Sequence, residues 1–516
     1  MTAPHVVIVG NGMAGARLAE DLRRRDPHRM LAITILGDEV HDAYNRVLLS
    51  EVLAGRHVLD DIRLGAPGWH ETHGVDVRLG DAVVGIDRAH RLVRTSAGRE
   101  VHYDVLVFAT GSEPNIPNIE GLRRDDDTLI PGAFFLRTVD DCRELLVASR
   151  SAHRVAVIGG GLLGIEAARA LAVQDTEVIV LHGSEHLLDR QLDAAAGDVL
   201  GRALHGLSIA VRLGARANRV IIDDAGRLGG VELADGSYVL ADLLVIAAGT
   251  TPRVELARAC GLQVDQGIVI DDTMRSVDDP RIFAIGDCAQ FSDRVYGVVA
   301  AAWEHAAMAA NHITGSDPAA RYTGSRSITR LKAEGLTVAS MGNTEAVDDL
   351  DEIVMVTDTA KGSYRKLVAR DGKLQGAVVV GDLASVGTIC QLFQRDAVLP
   401  SDRLSLLAQP SSASSATAGT TPALMPLGTT VCTCNGVTKK VIQNAVLGGA
   451  RTLTAVASET RATTGCGGCT DVVGGLVDWL VRADTGADQT AMQVAAMTAH
   501  AEPPIRRELR TPVEAS

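Results

Sequence analysis

An apolar strand that runs directly into three glycines spaced G-x-G-x-x-G, with a helical stretch behind them, occurs twice in this chain. The first copy is Val6-Val7-Ile8-Val9-Gly10-Asn11-Gly12-Met13-Ala14-Gly15, followed by an amphipathic run over 17–25. The second is Val155-Ala156-Val157-Ile158-Gly159-Gly160-Gly161-Leu162-Leu163-Gly164. In such a turn the first glycine permits the sharp reversal. The second lets a pyrophosphate approach backbone N–H groups at a helix N-terminus, and the third lets the helix lie close on the strand. A single copy often serves packing alone. Two copies predict an α/β chain with two dinucleotide-binding, Rossmann-like domains, and hence two bound dinucleotides.

The strands that follow the two turns differ in how they end. After the apolar run 31–36 come Asp38 and Glu39, and Glu39 lies 24 residues beyond Gly15, about where a carboxylate accepts ribose hydroxyls. Which of the two acids does so is open at this level. The run 177–181 ends instead at His182, neither the acid of an NADH-type site nor the arginine of an NADPH-type site, so the nicotinamide preference is not readable.

A length of 516 residues exceeds one core and predicts about three or four domains. The excess of 64 acidic over 50 basic residues, a formal charge of -14, opposes nucleic-acid binding. No apolar run reaches the ~18 residues that span a bilayer, and no signal-peptide pattern precedes the first strand, so the expectation is a cytoplasmic protein with no membrane partner. Cys142, Cys260, Cys288 and Cys390 stand singly among apolar neighbours and read as small buried residues. The other four cysteines are clustered.

Further chemistry lies between and after the turns. In Tyr44-Asn45-Arg46-Val47-Leu48-Leu49-Ser50, Arg46 suits a diphosphate or flavin edge and equally an ordinary surface position. An apolar run closes the first unit through Ala109-Thr110-Gly111 and Pro114, and residues 243–252 close the second in the same way. The strand-like run 281–285 ends in Gly286-Asp287, where a carboxylate can meet a polyol chain without a side chain crowding it; the competing reading of Asp287 is a helix N-cap.

Together these residues resemble the two-dinucleotide-binding flavoprotein family over about residues 5–395. The branch in question holds rubredoxin and ferredoxin reductases and the flavin-containing part of the NAD(P)H-dependent nitrite reductase large subunit. The runs Tyr44 to Ser50 and Gly161-Leu162-Leu163-Gly164-Ile165-Glu166-Ala167-Ala168 are similar to the nitrite reductase branch in particular. The resemblance implies that Gly10, Gly12, Met13, Ala14, Gly15, Glu39, Arg46, Ala109, Thr110, Gly111, Gly286 and Asp287 hold FAD. It implies further that Gly159, Gly161, Leu162, Gly164 and Glu166 frame NAD(P)H, in a domain inserted within the FAD domain. Two departures matter. Residues 45–53 contain no cysteine, which makes reduction of a thiol substrate improbable. Some relatives carry a lysine directly after the Leu-Ser pair, but this chain has Glu51, so an ion pair from that position to Glu166 is not expected.

Residues 325–395 alternate short strands with charged turns and end in a helix from Ala384, similar to the small α+β domain of the same flavoproteins, which often forms a dimer face. Residues 409–426 are rich in Ser, Ala, Thr and Pro and read as a linker. Beyond it stand Cys432-Thr433-Cys434 and, after 31 intervening residues, Cys466-Gly467-Gly468-Cys469. Four thiolates in two close pairs can wrap a tetrahedral zinc or a 2Fe-2S cluster, and the C-x-C half departs from usual zinc spacing. The surroundings resemble the bacterioferritin-associated ferredoxin domain, a small helical unit that binds one 2Fe-2S cluster. Gly467 and Gly468 would let backbone N–H groups approach the sulfurs.

The expected organisation is therefore an FAD domain over 1–120 and 251–320, an NAD(P) domain over 121–250 and a small domain over 321–400. A linker over 401–427, a 2Fe-2S domain over 428–485 and a tail over 486–516 follow. NAD(P)H delivers two electrons, a 2Fe-2S centre takes one at a time, and flavin can do both. The expectation is a flavoprotein that passes electrons to a separate protein, by resemblance the catalytic subunit of an assimilatory nitrate or nitrite reductase. A ferredoxin reductase serving a monooxygenase and a redox- or iron-responsive interaction protein are the alternatives.

Overall fold

The computed structural model describes residues 3–172, 176–224, 226–381, 386–407, 422, 425–432, 435–464 and 469–484. It divides into two compact units, Met1–Ser411 and Ser412–Ser516. Among the described residues no helix is long and apolar enough to cross a membrane.

Two parallel sheets organise the first unit. One runs, in spatial order, Ile282–Ala284, Val105–Phe108, His5–Val9, Ala32–Leu36 and Val75–Arg78. The other runs Ile209–Arg212, Glu177–Leu181, Arg154–Ile158, Leu243–Ile246 and Ala133–Phe135. Every strand of the second sheet falls in sequence between Val105–Phe108 and Ile282–Ala284, so one α/β unit is threaded into the other. The central strands are continuous apolar runs because helices cover both faces: Val6, Val7, Ile8, Val155, Ala156 and Val157 are all at most 1% exposed. Register is set strand by strand, with Val6 opposite both Ile33 and Val105, and Val155 opposite both Val178 and Leu243.

The first glycine turn opens the helix Met13–Arg25, four residues earlier than the amphipathic run suggests, because Gly12 itself takes the cap position. The helix buries Leu18, Ala19 and Leu22. It also buries the carboxylate of Asp21, which is held by Arg17, Arg24 and Arg25. The arginines of its last turn complement the helix dipole, and Arg25 reaches Asn311 on the helix Val299–Thr314 at 2.7 Å.

This unit also holds an antiparallel five-stranded sheet, in the order Ile328–Arg330, Val338–Gly342, Lys373–Val380, Ser363–Arg370 and Glu352–Asp358, besides smaller two- and three-stranded sheets. The helix Val386–Gln394 packs on it. The helix start expected at Ala384 lies outside the described residues. Among its described residues the second unit has a strand pair, Thr430–Cys432 and Val437–Thr438, and three helices, Lys439–Leu447, Leu453–Thr460 and Thr470–Asp484. Thr438 and Thr452 cap the first two helices with their side chains. The linker around 409–426 falls mainly, and the tail 486–516 wholly, outside the described residues.

Candidate functional site: two dinucleotide cradles and a cysteine module

The two glycine turns have the same geometry. Gly10 and Gly159 have φ of 113° and 116°, and a Cβ on either would overlap the backbone oxygen of Ala109 or Ala247. A Cβ on Gly15 or Gly164 would overlap the carbonyl of Gly10 or Gly159, which is how closely each helix lies on its strand. Gly12 and Gly161 instead face open space, with nothing within 4 Å of where a Cβ would be. Both sit at helix N-termini that no side chain caps, leaving N–H groups and the positive end of the helix dipole for an anion. At the first turn both amide atoms of Asn11 and the indole nitrogen of Trp303 are buried with no protein partner. That is the pattern left by a polar ligand that completes the bonding.

Around the first turn a connected line of polar groups spans residues far apart in sequence. Glu39 accepts from Tyr44 OH at 2.7 Å and from Arg46 Nη2 at 2.7 Å. Arg46 Nη1 donates to the carbonyl of Arg137 at 2.9 Å. Arg137 Nη2 donates to Ser112 Oγ at 2.6 Å, and Ser112 Oγ donates to Asp287 Oδ2 at 2.7 Å. Burial, and then the nearby Arg46, lowers the Arg137 guanidinium from its ordinary value. Two guanidiniums and two carboxylates thus line one face of the cradle, a donor and acceptor set that suits a diphosphate beside sugar and polyol hydroxyls. Asp38, the other candidate acid, is ion-paired with Arg253 at 2.8 Å.

Asp287 caps no helix. It lies within the one-turn helix Gly286–Cys288, and the next helix begins at Val299. Gly286 places Ala14 beside it, since a Cβ there would lie 3.0 Å from that of Ala14. Its N–H donates to His305 Nδ1 at 3.3 Å, which leaves the His305 proton on Nε2. Burial lowers His305 to about 4, so it stays a neutral acceptor at physiological pH. Trp303 is buried and Glu304 is exposed. Ala109, Thr110 and Gly111 follow the Val105–Phe108 strand beside Gly10, and Thr110 Oγ1 bonds the carbonyl of Arg253 at 2.8 Å.

At the second turn Glu166 lies on the helix Leu162–Leu171 and is 8% exposed. Its Oε2 accepts from Ser50 Oγ at 2.8 Å and its Oε1 from the backbone N–H of Lys332 at 2.9 Å. Burial pushes its carboxyl up to about 7. Glu51 pairs with Arg56, which also reaches Glu334 at 3.2 Å, so residue 51 makes no ion pair with Glu166. Ser50 and Lys332 take up the carboxyl instead. Cys142, Cys288 and Cys390 are buried and Cys260 is partly buried; all four are free thiols.

In the second unit Cys432 and Cys469 belong to one apolar core and are 0% and 8% exposed. Cys434, Cys466, Gly467 and Gly468 lie outside the described residues. Their neighbours are tied together: Asn435 Nδ2 donates to Thr464 Oγ1 at 3.3 Å and also to the carbonyl of Arg461. One side chain therefore ties Asn435, in the residues after the first cysteine pair, to Arg461 and Thr464, in those before the second.

Over residues 4–310 the sequence matches the pyridine nucleotide-disulphide oxidoreductase family. The chain belongs to that family. Residues 328–397 match the rubredoxin NAD+ reductase C-terminal domain, and residues 430–479 match the BFD-like [2Fe-2S] binding domain. The comparisons support FAD, NAD(P)H and a 2Fe-2S cluster as the cofactors of this oxidoreductase.

The chain is 34% identical to the assimilatory nitrate reductase electron transfer subunit of Bacillus subtilis, over 99% of its own length and 64% of that protein's. It is 36% identical to the nitrite reductase [NAD(P)H] large subunit of Klebsiella oxytoca, over 92% of its own length and 48% of that protein's. It therefore spans about half to two thirds of the curated relatives it matches. Among solved structures, the ferredoxin reductase for the CYP199A2 system from Rhodopseudomonas palustris aligns with a TM-score of 0.69 and 26% identity, covering 77% of this chain and 95% of that one.

The sequence reading missed Ser112, Arg137, Ser50, Lys332 and Asn435. Ser112 and Ser50 lie inside runs that it singled out, but neither motif marks a hydroxyl as functional. Arg137 and Lys332 come from segments with no motif of their own.

Proposed function

We propose that this protein oxidises NAD(P)H and passes the electrons through FAD and a 2Fe-2S cluster to the catalytic subunit of an assimilatory nitrate or nitrite reductase in the cytoplasm. One observation carries the reading. The match to nitrate and nitrite reductase proteins continues through the cysteine module, whereas the ferredoxin reductase structure is used up over 95% of its length while covering 77% of this chain. This favours a nitrogen-oxyanion reductase over an oxygenase as the electron sink.

The bound flavin supplies the exchange between a two-electron donor and a one-electron acceptor. The chain's own contribution is placement. The Gly12 and Gly161 turns present helix N-termini to the two diphosphates, the line from Glu39 to Asp287 grips ribose and polyol hydroxyls, and the Cys432 to Cys469 module holds the cluster. Every one of these tasks is binding or orientation.

The test is reconstitution with a purified assimilatory nitrate reductase catalytic subunit. Nitrate reduction dependent on NAD(P)H is expected, and Cys466→Ser should abolish it while leaving reduction of a small dye intact. Electron delivery to an oxygenase component but to neither a nitrate nor a nitrite reductase would overturn the proposal.

A further inference from the structure

The strand Glu177–Leu181 ends where a dinucleotide fold meets the adenosine ribose, and the side chain that follows, His182, is turned away from that task. Its Nδ1 accepts from Gly160 N at 3.1 Å, and its Nε2 is buried. The chain then folds back onto the same glycine, because Leu188 N donates to Gly160 O at 3.0 Å. Leu188 is fully buried with φ of 51°, a left-handed conformation that a bulky side chain adopts only where its surroundings hold it. The residue delivered by that turn is Asp189.

Asp189 Oδ1 lies 3.7 Å from His182 Nε2, and Oδ2 accepts from Ser184 Oγ at 2.7 Å. The Ser184 hydroxyl thus orients the carboxylate, His182 Nε2 stands near it without bonding it, and the side chain is 40% exposed, so acceptor capacity remains one residue beyond the Leu188 bond to Gly160 of the second turn. We propose that Asp189 reads the adenosine ribose, accepting hydrogen bonds from its hydroxyls in place of a strand-end acid, and that it thereby selects NADH over NADPH. A 2′-phosphate would bring two negative charges against a fixed carboxylate, which excludes it by repulsion. The rival reader is Arg216, an exposed residue whose Cγ lies 3.5 Å from where a Cβ on Gly183 would be. The inference rests on the assignment of the second turn to NAD(P)H.

The test uses the flavin-loaded full chain titrated calorimetrically with 5′-AMP and with adenosine 2′,5′-bisphosphate, which carry the discriminating group without the hydride chemistry. The wild type is expected to bind 5′-AMP about tenfold more tightly or better, as loss of a charge-assisted bond plus repulsion dictates. In Asp189→Asn, and again in Asp189→Ser, affinity for 5′-AMP should fall and affinity for the bisphosphate rise, so that their ratio approaches one. Arg216→Gln should keep the wild-type preference, and flavin content equal to wild type checks that each variant folds. A wild type that prefers the bisphosphate and loses that preference in Arg216→Gln would overturn the proposal, as would an unchanged ratio in both Asp189 variants. Failure of the wild type to bind either nucleotide would refute the assignment of the second turn itself, and the inference with it.

Discussion

Replacing Glu166 by Gln should flatten the stability of the flavin-bound protein between about pH 5 and pH 8.5. Burial raises this carboxyl from 4.5 to about 7 in the folded state. A folded value above the unfolded one means that the group's stabilising contribution is complete below pH 4.5 and is lost as pH rises through about 7, when a buried carboxyl must ionise. At about 1.4 kcal/mol per pH unit, that shift makes the wild type roughly 2.5 kcal/mol less stable at pH 8.5 than at pH 5 on account of this one group. Gln keeps an acceptor for the Lys332 N–H, and its amide N–H can donate to Ser50 Oγ, so the site stays satisfied without charge. Urea unfolding of wild type and variant at the two pH values gives a double difference from which every other titrating group cancels. The expected result is near-equal stability at pH 5 and a variant more stable by about 2 to 3 kcal/mol at pH 8.5. The same wild-type-to-variant difference at both pH values would refute the claim that Glu166 is held neutral.

Asp287→Ala removes the acceptor of the Ser112 hydroxyl, the carboxylate proposed to hold the FAD polyol chain. FAD affinity should fall by about ten- to more than hundredfold, with flavin fluorescence rising on dilution and activity returning when FAD is added. Asn435→Ala cuts the tie from Asn435 to Arg461 and Thr464, the residues that flank the two cysteine pairs. The visible absorbance of the cluster should bleach faster under a chelator while NAD(P)H-dependent dye reduction is unchanged; equal bleaching rates would mean that these residues are held by other contacts. Iron analysis of wild type should give about two atoms per chain with matching acid-labile sulfide.

Much of the architecture was legible because it is local. A strand, a glycine turn and a helix are contiguous, and their physical requirements fall on fixed offsets, so both strand–turn–helix units could be placed from the glycines alone. The alternating small domain and the paired cysteines are legible for the same reason. What stayed hidden is what depends on closure over distance. Arg137 reaches Asp287 across 150 positions, and Lys332 reaches Glu166 across 166. Lys332 contributes only its backbone N–H to that hydrogen bond, a group every residue but proline carries, so no side-chain pattern could announce it. Asp287 was ambiguous between cap and ligand because both uses follow a strand end. The distinction lies in where the next helix starts, and that is a matter of structure. Glu51 stands where some relatives carry a lysine, but the group that bonds Glu166 here, a hydroxyl one residue earlier, could not be read from that departure.

The Glu166 junction also bears on how such chains can be recombined. One donor comes from residue 50 and the other from residue 332, so a chimera with breakpoints between these segments joins a carboxyl from one parent to partners from another. The two joints are unequal. Lys332 offers a main-chain group, which any non-proline residue in the same conformation would supply, whereas Ser50 offers a hydroxyl that few side chains can match. The small domain should therefore be exchangeable with little penalty at this carboxyl between related chains that keep a cation at position 332, whose charge opposes the rise that burial causes. Exchange of the segment around Ser50 should demand a matching change at position 166, which makes these two positions, distant in sequence, a single unit of inheritance.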